Sequence, residues 1–298
     1  MKLWNGAGVA LVTPFKEGQI DFDALEKLLE WQMAEDTDAF IIAGTTGESA
    51  TLTKHEKLAL FEFTLKVVQG RVPVIAGTGS NNTADSIALS REAEKLGVDG
   101  LLLVTPYYNK PSQRGLYAHY KAIAESVKIP VILYNVPGRT SVDLLPETVV
   151  ELAKIPNILG LKEASGKPQR CGQILSQVPE GFKIYSGNDN EIFDFLKEGG
   201  HGVISVLSNV APKETHDLVA QYFAGNKEAS QKLQEDLNPL IDVLFIETNP
   251  VPVKEALNFM GYQAGDFRLP LVDLAPENRE KLQQVLAEYH LLPGGGAE

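Results

Sequence analysis

The chain has 298 residues, 44% of them hydrophobic, and carries 27 Lys+Arg against 39 Asp+Glu for a formal net charge of −12. That content suffices for one large core or two small ones, while the acidic surface, with no basic stripe, argues against nucleic acid as a partner. Cys171 is the only cysteine, so no intrachain disulfide forms, and with neither a signal-peptide pattern nor a run approaching the ~20 apolar residues of a membrane span, a cytoplasmic protein with no membrane partner is expected.

Short apolar runs alternate with amphipathic stretches along most of the chain. The runs at 7–12, 39–43, 72–76, 99–104, 130–134, 157–162, 182–186 and 202–206 are rich in Val, Ile and Leu. Little polar alternation interrupts them, which predicts parallel strands buried on both faces. After the first run, Phe22, Leu25, Leu28, Leu29 and Met33 share one helical face, with Asp21 as its N-cap. Comparable stripes run through 54–69, 82–96, 112–126, 146–154, 168–178, 189–198 and 211–224, and Gly70 and Gly97 stand where helices end. Eight strand–helix pairs in strict alternation predict an α/β fold, a (β/α)8 TIM barrel over 1–224, in preference to a doubly wound sheet. Residues 225–298 break the rhythm and predict a C-terminal helical domain appended to the barrel. Helical patterns there run through Leu233, Leu237, Leu240, Ile241 and Leu244, and again from Lys281 to Leu292. A kink is expected near Pro239, a break at Asn249-Pro250, and a frayed tail from Pro293 to Glu298.

Active sites of such barrels lie at the C-terminal ends of the strands. The polar residues ending the runs are Thr13, Thr45 with Thr46, Thr105 to Asn109, Tyr134 with Asn135, Lys162 and Gly187. Lys162 closes the run Ile158-Leu159-Gly160-Leu161. Such a lysine commonly snorkels to solvent or pairs with a neighbour such as Glu163. Desolvation instead yields the neutral amine that imine formation needs, with Gly160 leaving room beneath it for a small substrate. Tyr134 ends the adjacent strand, about 4.8 Å away; its phenol either caps the core with its hydroxyl in water or shuttles protons for carbinolamine dehydration. The turn from Gly44 to Ser49 offers backbone amides and hydroxyls suited to a carboxylate. Within it, Glu48 reads as a helix-leading acid favoured by the dipole, with a base as the alternative. Gly77-Thr78-Gly79 is only half a dinucleotide fingerprint, because Asn82 stands where the third glycine belongs. His55, His119, His201, His216 and His290 show no ligand spacing, so neither a metal nor another cofactor is expected.

Four segments then carry a family resemblance: Gly44-Thr45-Thr46-Gly47-Glu48, Val104-Thr105-Pro106-Tyr107-Tyr108-Asn109, Tyr134-Asn135-Val136-Pro137-Gly138-Arg139-Thr140 and Gly160-Leu161-Lys162-Glu163-Ala164. From about Gly6 to Leu292 the chain resembles the dihydrodipicolinate synthase (4-hydroxy-tetrahydrodipicolinate synthase) family of the pyruvate-dependent class I aldolase superfamily. The resemblance implies a carbon–carbon lyase/synthase of lysine and diaminopimelate biosynthesis that condenses pyruvate with L-aspartate 4-semialdehyde. It implies an imine at Lys162, a proton donor and acceptor in Tyr134, and a relay through Thr45 to Tyr108, the last reaching in from a neighbouring subunit. Thr46, Ile204 and Gly187 are implied at the pyruvate site, Arg139 at the carboxylate of the semialdehyde, and a homotetramer built as a dimer of dimers. N-acetylneuraminate lyase and 2-keto-3-deoxy sugar-acid aldolases share the lysine and tyrosine, but Arg139 and the tyrosine pair at 107–108 favour the short dicarboxylic product. A ligand-binding barrel without turnover is the reading from another class, and the full set of motifs speaks against it. Lysine-inhibited members bind their effector at positions matching Ser49, Ala50, Lys54, Lys57, Asn81, Asp85 and Tyr107. Here Lys54 and Lys57 add cations and Asp85 shortens a carboxylate, so weak or absent inhibition by L-lysine is expected.

Overall fold

In the computed structural model, which describes residues 3–293, eight parallel strands close a barrel in chain order. They are β1 (Gly6–Ala10), β2 (Ala39–Ile42), β3 (Val74–Gly77), β4 (Gly100–Val104), β5 (Val131–Asn135), β6 (Ile158–Glu163), β7 (Lys183–Ser186) and β8 (Gly202–Ser205). β1 pairs with β2 on one side and β8 on the other, completing the circle. Every expected strand is present to within one or two residues, because an apolar run buried on both faces has no other stable home. The expected helices follow their strands, from Phe22–Ala34 to Pro212–Phe223. Asp21 caps the first by accepting from Ala24 N (3.0 Å). Gly97 ends Thr83–Leu96 in the left-handed conformation that its missing Cβ tolerates.

The barrel interior is filled by Ala10, Ile41, Ile75, Leu102, Ile132, Tyr134, Tyr185 and Ile204. Trp4 seals its N-terminal end, stacked on Tyr185 (ring centroids 4.5 Å apart) and accepting the Tyr185 hydroxyl at its carbonyl (2.8 Å). Only the C-terminal mouth is left to hold a site. Asn209 closes the seam between first and last strands at that end: it accepts from Val12 N and donates to the carbonyls of Ala10 and Val206.

Beyond residue 225 the described residues form three helices, Lys227–Leu244, Val251–Phe259 and Pro276–Glu288. Pro239 sits inside the first without dividing it. The second was not legible as a helix, since Val251 to Leu257 are all buried and show no amphipathic stripe. These helices share one core with the barrel: Leu240, Leu244, Val253, Leu257 and Leu286 pack with Ala7, Val12, Val203 and Leu207. Residues 294–298 of the expected frayed tail lie outside the described residues. Among the described residues no helix is long and apolar enough to cross a membrane.

Candidate active site

Lys162 and Tyr134 are direct partners in the β5–β6 register, and each is 6% exposed. The Lys162 ammonium lies 4.4 Å from the centroid of the Tyr134 ring, a cation–π contact. Glu163 does not take the Lys162 charge. As the next residue along the strand it faces the other side, where it accepts from Asn135 Nδ2 (3.2 Å) and Ser165 N (2.8 Å) with Arg170 4.0 Å away. Burial raises the Glu163 pKa from its ordinary value, against the pull of these partners. Arg170 grips Asp143 through two parallel bonds (2.8 and 2.7 Å) and holds that carboxyl below its usual range.

Gly187 is needed here for space. A Cβ at that position would lie 3.0 Å from Lys162 Cε and 2.7 Å from the Ala164 methyl. Gly160 does not leave the expected room for substrate. A Cβ there would meet Leu3 Cδ1 at 2.9 Å and Lys183 O at 3.1 Å, so the protein's own chain fills the space beneath the lysine. Ile204 is fully buried in the interior cluster that contains Tyr134. Asp189 supports the end of β8 by accepting from Val206 N and Leu207 N (both 3.0 Å), and burial raises its pKa.

A cavity of about 360 Å³ opens at the mouth, lined among others by Thr45, Tyr134, Arg139, Ser49, Ala50, Lys57 and Tyr107. The structure thus brings these seven expected residues to one cavity, while Lys162, Gly187 and Ile204 adjoin it behind Tyr134 and are not among its lining residues. Thr46 is buried beside them, its hydroxyl accepting from Asn249 Nδ2 (3.0 Å). Arg139 donates to Asn249 O (3.1 Å). Of the remaining effector-site positions, Asn81 donates to Tyr107 O (3.2 Å), Asp85 accepts from Asn82 Nδ2 (2.8 Å), and Lys54 is exposed. Lys57 is half-buried, and desolvation pushes its ammonium pKa down. Tyr108 is 89% exposed, with φ 71°, and does not line the cavity within one chain.

Glu48 corrects the sequence reading. It does precede a short 3-10 turn, Ser49–Thr51, but its side chain makes no capping bond there, and the following helix Lys54–Val68 is capped by Thr53, with Glu56 completing a capping box. The Glu48 side chain is fully buried against Lys254 Nζ (2.7 Å), and its other oxygen accepts from Arg268 N (3.3 Å). Removing either member of such a pair strands a buried charge, at about 3–5 kcal/mol. Lys254, Asn249 and the cavity-lining Pro270 and Leu271 went unread. Asn249-Pro250 had registered only as a break in the helical pattern, and nothing local marked Lys254.

A lysine seated under a tyrosine at the mouth of a closed (β/α)8 barrel is the arrangement of the lysine-dependent barrel lyases. A family profile described as the dihydrodipicolinate synthetase family matches residues 4–289. The 4-hydroxy-tetrahydrodipicolinate synthase of Acetivibrio thermocellus is 50% identical over 97% of this chain and 99% of its own. The dihydrodipicolinate synthase structure from Aquifex aeolicus superposes with a TM-score of 0.96 at 44% identity, covering 98% of this chain and 100% of that one. The chloride-inhibited enzyme from Acinetobacter baumannii, solved with pyruvate, gives 0.95 at 44% identity over 97% and 100%. The chain belongs to the dihydrodipicolinate synthetase family.

The Gly187 contacts make a prediction. Gly187→Ala is expected to push the Lys162 side chain from its seat and lower turnover about a hundredfold, with a stability loss of about 1–3 kcal/mol from the overpacked Ala164 contact. Wild-type turnover from this variant would show that the lysine tolerates displacement.

Proposed function

We propose that this chain is a 4-hydroxy-tetrahydrodipicolinate synthase that condenses pyruvate with L-aspartate 4-semialdehyde in diaminopimelate and lysine biosynthesis. The observation that carries the reading is the seat of Lys162: buried, free of any ion pair among the described residues, and over the ring of Tyr134. The Lys162 amine adds to the keto carbon of pyruvate, and loss of water from the carbinolamine gives the imine. Tyr134, set against that centre, delivers the proton that the leaving hydroxyl needs and later takes one from the methyl carbon to form the enamine. The enamine carbon adds to the aldehyde of the second substrate. The α-amino group of that substrate then displaces Lys162 from the imine carbon, closing the ring and freeing the enzyme. Thr46 and the backbone amides of its turn hold the pyruvate carboxylate, with Ile204 and Gly187 on the floor.

Arg139, at the cavity wall, meets the carboxylate of the semialdehyde. Thr45 links Tyr134 to Tyr108 of a second copy in a dimer-of-dimers tetramer. The outward, positive-φ setting of Tyr108 supports that assignment, since a strained residue is retained where its side chain is used elsewhere. We place the enzyme in the cytoplasm. The matches do not favour a sugar-acid aldolase or a barrel without turnover.

Assay of the purified protein should show condensation with pyruvate and aspartate semialdehyde and no cleavage of N-acetylneuraminate; the reverse pattern would refute the reading. Arg139→Ala should raise KM for the semialdehyde by the equivalent of about 1.5–3 kcal/mol and leave KM for pyruvate nearly unchanged. An unchanged KM for the semialdehyde would make Arg139 structural. Lys57 adds a half-buried cation beside Ser49 and Tyr107, so L-lysine should inhibit weakly or not at all in an initial-rate titration. Strong inhibition at sub-millimolar lysine would contradict this.

A further inference from the structure

The turn that carries Thr45 and Thr46 is fixed from three sides. Thr13 Oγ1 donates to Gly47 O (2.7 Å), Asn249 Nδ2 to Thr46 Oγ1 (3.0 Å), and Lys254 Nζ to Glu48 Oε1 (2.7 Å). The last two come from the C-terminal helical segment, 203 and 206 residues away in sequence. Lys254 also donates to Asp266 O (2.6 Å) and lies 4.2 Å from the centroid of Phe15, a ring shared with the Arg268 guanidinium at 4.3 Å. Glu48 itself has a left-handed backbone, φ 56°, which a non-glycine residue keeps only when its surroundings over-determine it. It also lines the cavity. Without Lys254 the carboxylate keeps the Arg268 amide at 3.3 Å, and its uncompensated charge bears on the cavity that it lines, where an anionic substrate has to sit.

We propose that Lys254 is a positioning residue of the reaction: by holding the Glu48 carboxylate it keeps the Thr45–Thr46 turn in shape and keeps a negative charge out of the substrate cavity. This rests on the reading of that cavity as the pyruvate site. A purely structural staple would not need charge, because a buried ion pair is commonly replaceable by apolar groups without loss. What charge supplies here is neutrality beside an incoming carboxylate. The groups facing Lys254 are Glu48 and Asp266, which favour its ammonium form, and Arg268, which opposes it; burial dominates and pushes its pKa down to about 8.

The test titrates pyruvate against borohydride reduction of the imine at Lys162. Lys254→Met is expected to raise the half-saturating pyruvate about tenfold with the adduct still on Lys162, and adding Glu48→Gln should restore it to within about threefold of the parent. A folded Lys254→Met with unchanged half-saturation, or no recovery on adding Glu48→Gln, overturns the proposal. If Lys254→Met does not fold, the parent and Glu48→Gln alone decide. Half-saturating pyruvate in the parent should climb as pH rises past about 8, where Lys254 gives up its proton, and Glu48→Gln should remove that climb. Identical pH profiles overturn the proposal. A parent that pyruvate and borohydride do not label at all refutes the pyruvate reading itself, and this inference with it.

Discussion

An amine that is to act as a nucleophile has to be kept from water and from any carboxylate that would fix its proton. The mouth of this barrel holds several carboxylates, and each is engaged by other donors. Glu163, adjacent to Lys162, is held by Asn135 and Ser165 on the opposite face of its strand. Asp189 accepts two backbone amides after β8 at a single oxygen and feels the Lys162 charge without forming an ion pair with it, and Glu48 is held by Lys254. Lys162 is left with the face of an aromatic ring, 4.4 Å away, and no ion pair among the described residues. The rest of the mouth follows from that need for a compensated charge set around one uncommitted amine.

The C-terminal helices matter to this arrangement. They share a core with the first and last barrel units, and they send Asn249 and Lys254 to the turn after β2. Arg268 joins the same turn by its backbone amide and through Thr51 O (3.1 Å). A barrel strand fixes a side chain such as Lys162 through the sheet ladder, but a loop has no ladder. The turn from Gly44 to Glu48 takes its rigidity from side chains supplied at long range.

What the sequence made legible divides along the same line. The strands and most helices were readable because burial on both faces, or on one stripe, writes a local period into the chain. Lys162 and Tyr134 were readable because each ends such a run. The short hairpin Phe15–Lys16 with Gln19–Ile20 was too brief to leave a period, and Val251–Phe259 is buried too completely to leave a stripe. The pairing of Glu48 with Lys254 was not legible at all, since no local pattern encodes a contact across 206 residues. Gly160 shows the same limit from another side. Its position on the inner face was readable, yet only the packed structure shows Leu3 occupying the space next to it. Tyr108 is a different case, because a single chain leaves it facing outward.

Everything proposed for this barrel depends on Lys162 being the amine that becomes covalently bound to substrate. Peptide mapping by mass spectrometry after treatment with pyruvate and borohydride tests it most directly. One reduced pyruvate-derived group per chain is expected, located on Lys162 and absent from Lys162→Ala. Labelling of another lysine, or undiminished labelling of Lys162→Ala, would contradict it.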